Sequence, residues 1–90
     1  MSTTVRLPAV LATLTGQPRV EGRGATVAEV LADVTARYPA LGARIFDAHG
    51  RPQPFVTYYV GDADIRLADG FATALADGDE LVVVPALAGG

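Results

Sequence analysis

The residues of this chain best suited to covalent chemistry are its last two, Gly89 and Gly90. They close the run Pro85-Ala86-Leu87-Ala88-Gly89-Gly90, which follows the most apolar stretch, Leu81-Val82-Val83-Val84. Glycine lets a backbone thread a narrow channel and lets bulky groups approach it closely. What a terminal glycine presents is a carboxylate without side-chain crowding. A carboxylate is a poor acyl donor until it is activated. Conversion to an acyl-adenylate, with AMP as leaving group, opens it to attack by sulfur or an amine. The chain carries no glycine-rich phosphate loop of its own, so activation is expected from a partner. Residues 86–90 read as a projecting tail, and five residues at ~3.3–3.6 Å each reach about 16–18 Å. That is long enough to enter another protein's active site.

Composition removes several other chemistries. There is no cysteine, hence no disulfide, thiolate metal site or thiol nucleophile, and sulfur cannot be held on a cysteine. His49 is the single histidine and sits in a Gly/Pro loop, where it reads as solvated, because a lone histidine makes neither a metal site nor a triad. Asp77, Asp79 and Glu80 could meet a cation or a basic partner, but the order Asp-Gly-Asp suits a tight turn. The basic residues are all arginine, so no lysine side chain is available as an acyl acceptor. With a net charge of −3, general affinity for nucleic acid or an anionic membrane is not expected. No signal peptide or membrane span is read, and a cytoplasmic location is expected.

These residues need a body to hold them. Ninety residues make one domain, 1–90, and a chain this short buries about 60–65% of its unfolded surface. Thr3 to Leu7 alternates polar and apolar, as a half-buried strand does. Ala9 to Leu14 is ambiguous, and Gly16-Gln17-Pro18 turns the chain into a short strand over 19–21, closed by Gly22 and Gly24. Thr26-Val27-Ala28-Glu29 is a capping box, with the Glu29 side chain expected to return to the Thr26 amide. Val27, Val30, Leu31, Val34 and Tyr38 then form one helical stripe, Asp33 and Arg37 pair at i, i+4, and Pro39 stops a helix over about 26–37. Residues 41–46 add one further turn. Phe55–Val60 is a strand, Ile65–Leu67 a short returning strand, Phe71–Leu75 a helical turn, and Glu80–Pro85 the last strand.

The order β-β-α-β-β-β with one principal helix predicts an α+β mixed sheet of about five strands covered by that helix on one face. An almost unbroken valine run belongs in the middle of a sheet, and the helix crossover lets it lie parallel to the first strand. That arrangement is the β-grasp, the ubiquitin fold. Alternation from Glu80 puts Leu81 and Val83 under the helix, with Val82 and Val84 on the open face. Alternation from Thr57 puts Val56, Tyr58 and Val60 inside, with Phe55 and Tyr59 on the open face. Tyr58 and Tyr59 are otherwise packing residues, and Phe71 a small satellite core. An uncovered cluster of Phe55, Tyr59, Val82 and Val84 would be a partner surface at the root of the tail.

The closing stretch, Asp77 through Gly90, resembles the ending of the bacterial ubiquitin-like sulfur carriers, the ThiS/MoaD family, and the order of elements matches over the whole chain. The ending Pro-Ala-Leu-Ala-Gly-Gly leans toward the carriers that feed a cysteine synthase. The resemblance implies a carrier and not an enzyme. An E1-like adenylating and sulfurtransferase enzyme would activate the Gly90 carboxylate with MgATP, a cofactor of that partner and not of this chain. A sulfur donor would convert it to a thiocarboxylate, and a sulfur-accepting synthase would receive the sulfur. The product could be cysteine, a thiosugar or other natural product, molybdopterin or thiamin. A metalloprotease could release product from the carrier. Gly90 would be the covalent site, Gly89 and Ala88 would give clearance, and Leu87 would join the partner surface. The alternatives are a protein modifier joined through Gly90 to lysines and a non-covalent β-grasp interaction domain.

Overall fold

The computed structural model describes residues 2–85. Its elements are β1 (Ser2–Arg6), α1 (Ala9–Ala12), β2 (Arg19–Arg23), α2 (Val27–Arg37), α3 (Pro39–Ile45), β3 (Val56–Val60), β4 (Ala63–Asp64) and β5 (Glu80–Pro85). The five strands form one sheet in the order β2-β1-β5-β3-β4. The valine-rich β5 is central, parallel to β1 (Thr4 opposite Glu80, Arg6 opposite Val82) and antiparallel to β3. A place between two paired strands suits its apolar run, and α2 supplies the crossover that parallel pairing requires. The architecture is the expected β-grasp.

α2 starts where the capping residues are. Thr26 is extended and its hydroxyl accepts from the Glu29 amide at 3.2 Å. The return bond lands one residue earlier than expected: Glu29 Oε1 accepts from the Ala25 amide at 2.9 Å. Val27, Val30, Leu31 and Val34 are all buried, and they share one core with Val5, Val20, Tyr58, Leu81 and Val83. Pro39 ends α2 and begins α3, where its missing N–H costs nothing.

Gly22 does not close β2 but lies inside it. A Cβ there would come within 2.7 Å of Val30 Cγ1 and 2.8 Å of Val34 Cγ2, so the missing side chain lets β2 approach α2. The outer edge of β2 is in turn closed by side chains of α2. The Arg23 amide donates to Asp33 Oδ2 at 2.9 Å, the Arg37 guanidinium donates to the Glu21 carbonyl, and Arg37 pairs with Asp33 at 3.1 Å. An edge covered in this way cannot recruit another strand.

Two short segments differ from the expectation. Ile65–Leu67 is a 3₁₀ turn, not a strand. Asp64 accepts from the Arg66 amide at 2.9 Å and pairs with its guanidinium at 2.6 Å, which curls the chain after two residues of β4. A second 3₁₀ turn covers Gly70–Ala72, after which Ala74 bridges to Thr26 and the Leu75 amide donates to the Ala25 carbonyl. Residues 9–14, ambiguous in sequence, supply α1 and buried Leu11. Among the described residues, no helix is long and apolar enough to cross a membrane, and no group of three or more potential ligands could hold a metal ion.

Candidate functional site at the root of the tail

β5 carries the chain toward its last residues. It pairs with β1 as far as Val82 and with β3 as far as Pro85, whose partner is Val56. Alternation along it is as expected: Leu81 and Val83 are buried against α2, while Val82 is half-buried and Val84 exposed. Across the sheet, Arg6, Val82, Tyr59 and Asp64 lie in one row, and Val84 lies beside Thr57. Val82 and Tyr59 are therefore an apolar cross-strand pair on the open face. Tyr58 is buried, and Val60 is half-buried against the core. Phe55 is exposed but precedes β3 by one residue, so strand alternation does not set its direction. Polar groups frame this face. Arg6 pairs with Glu80 at 3.5 Å, and Thr4 donates to Glu21 at 3.2 Å.

One contributor was not evident from the sequence pattern. Val10, on α1, is 48% exposed. Together with Pro8, Arg6 and Leu7 it walls a groove of about 310 Å³ along Val82–Pro85. The signal was present in the apolar run after Pro8, but a four-residue helix has too few turns to show a period. Leu87, Ala88, Gly89 and Gly90 lie outside the described residues.

The remaining candidates resolve into structural roles. Asp77 Oδ1 accepts from the Ser2 amide at 3.0 Å, and Asp79 Oδ2 accepts from the Ala76 amide at 2.8 Å. Gly78 between them has a φ of 89°, so these acidic residues build the turn that launches β5. His49 is exposed in its loop, with its amide donating to Asp47 Oδ1 at 2.8 Å. Phe71 meets the Tyr58 ring edge-on at 5.3 Å, as a small extension of the core.

A family model described as the ThiS family matches residues 5–90. The chain is 41% identical over 93 residues to the sulfur carrier protein CysO of Mycobacterium tuberculosis, covering 100% of both chains. Among solved structures it is similar to the Amycolatopsis orientalis BexX/CysO complex, at 39% identity and a TM-score of 0.86, covering 98% of this chain and 99% of that one. It is also similar to small archaeal modifier protein 1 of Methanosarcina acetivorans, at 29% identity and a TM-score of 0.91, covering 99% and 96%.

Proposed function

The chain belongs to the ThiS family, and from that premise we propose that it is a sulfur carrier whose Gly90 carboxylate is the covalent site. The observation that carries this reading is the 41% identity to a sulfur carrier over the full length of both chains. The fold supports it, because β5 runs to Pro85 at the sheet's rim and the tail residues follow directly.

The proposed chemistry needs nothing from the side chains of this protein. A partner of the E1-like type binds MgATP, and the Gly90 carboxylate attacks the α-phosphate, expelling pyrophosphate. A sulfur nucleophile such as hydrosulfide then attacks the acyl carbon and AMP leaves, which places sulfur on the carboxyl group. The thiocarboxylate is the donor to an acceptor synthase. The cysteine-free sequence leaves the tail carbonyl as the place to hold that sulfur covalently. Gly89 and Ala88 give the tail clearance in a partner's channel. Phe55, Tyr59, Val82, Val84 and Leu87, joined by Val10, form the surface that a partner grips while it holds the tail. A relative has been solved in a complex, BexX with CysO, which supports a protein partner for this chain.

The similarity to small archaeal modifier protein 1 favours a second reading, attachment of Gly90 to lysine amines of other proteins. The two readings differ in the bond formed. Incubation with a ThiS-family activating enzyme, MgATP and sulfide should raise the intact mass by the difference between sulfur and oxygen. Conjugates to other proteins, with no thiocarboxylate on the free chain, would favour the modifier reading instead.

A further inference from the structure

β1 stops pairing with β5 before β5 ends, and the chemistry of two residues explains why. The Thr4 amide donates to the Asp79 carbonyl at 3.2 Å, and the Leu7 amide donates to the Pro18 carbonyl at 2.7 Å. Even-numbered residues of β1 therefore face β5, and odd-numbered ones face β2. The next donor from β1 to β5 would be residue 8, directed at the Val83 carbonyl. On β5, the Gly61 amide donates to the Glu80 carbonyl at 3.1 Å. Residues 80, 82 and 84 thus face β3, and residues 81, 83 and 85 face β1. The next donor returning to β1 would be residue 85. Both positions are proline, and neither nitrogen carries a hydrogen. The acceptor that residue 85 would need, the Pro8 carbonyl, is already engaged by the Leu11 and Ala12 amides at 2.9 and 2.8 Å. Two consecutive rungs of the ladder are removed, and the groove beside Val82–Pro85 lies where they would be.

We propose that Pro8 and Pro85 are positioning residues that form a paired stop. They deny the tail-side end of β5 a second strand, whether residues 8–10 of this chain or an edge of a second copy. The chain therefore runs into residues 86–90 from a strand held on one side only, by β3. The stop does at this edge what Asp33 and Arg37 do at β2. The proposal rests on the reading of residues 86–90 as the segment a partner engages, since a strand clamped on both sides would compete with that partner.

The test is Pro8→Val with Pro85→Val, which restores both donors with a strand-forming residue. Three readouts apply: amide hydrogen exchange at positions 8 and 85, sedimentation equilibrium, and ATP–pyrophosphate exchange with a ThiS-family activating enzyme. The wild type is expected to sediment as a monomer. In the double variant the new amides should be protected by at least about fivefold, one net hydrogen bond's worth, or the protein should self-associate. The pyrophosphate-exchange efficiency should fall by a similar factor. Pro8→Val alone, whose new amide is directed at the Val83 carbonyl, carries the same test should the double change unfold the domain. Unprotected amides in a monomeric variant would overturn the proposal. So would recruitment of a strand with undiminished pyrophosphate exchange. A wild type that supports no exchange contradicts the carrier reading instead, and amide protection and sedimentation then decide the role of the prolines.

Discussion

The Tyr58 hydroxyl is buried with no protein partner among the described residues, and burial pushes its pKa up to about 12. The unfolded phenol ionises near its ordinary value of 10. The folded state therefore binds the extra proton between those values, and stability falls as pH rises from about 10 toward 12. Tyr58→Phe keeps the ring contact with Phe71 and removes the unpaired hydroxyl. It should leave the melting temperature unchanged or higher at pH 7 and flatten the decline above pH 10; a clear loss at pH 7 would show that the hydroxyl is satisfied in solution. Asp33 has the opposite sign. The Arg23 amide, and then the Arg37 guanidinium beside it, hold its carboxyl below the ordinary value of 3.8. Its contribution is complete above that value and is lost as pH falls through the lowered folded one. Wild type and Asp33→Asn should therefore differ in melting temperature at pH 7 and converge in strong acid. On β5, Val82→Asp should fold, because that side chain is on the open face, whereas Leu81→Asp buries an unpaired charge and should unfold the domain. Circular dichroism of the two variants tests this assignment of faces.

At the scale of elements, the cap and the helix–strand approach make separable predictions. Thr26→Ala removes the acceptor for the Glu29 amide and should cost about 1 kcal/mol in denaturant unfolding. Gly22→Ala forces a methyl into Val30 and Val34 and should cost about 1–3 kcal/mol, as overpacking does. α2 was legible in the sequence because three signals agree there: the cap, the apolar stripe and the stopping proline. β5 was legible because its apolar run excludes an edge position. Residues 65–67 were not, because Ile-Arg-Leu alternates like a strand, and what curls it is the side chain of Asp64 just before. Gly22 read as a terminator because a glycine needed for a close approach looks the same in sequence as one that ends a strand. α1 is too short for a period, so the part that Val10 plays in the groove at the tail's root was not legible.

For the whole molecule, the fold leaves one sheet face uncovered by α2 and places β5 so that the face and the tail share a root. A partner can hold both at once. Tyr59→Ala should then weaken binding to the activating enzyme by about 1–2 kcal/mol, the scale of an interface hot spot. That variant should melt near the wild type, which separates docking from folding. The central claim is that the Gly90 carboxyl carries the sulfur, and fragment mass spectrometry of the C-terminal peptide tests it most directly. The sample is the wild type after reaction with the activating enzyme, MgATP and sulfide, beside a chain lacking Gly89 and Gly90. The account predicts an oxygen-to-sulfur replacement localised to Gly90 in the wild type and no mass change in the truncated chain. Modification of the truncated chain, or sulfur mapped to any other residue, would contradict it.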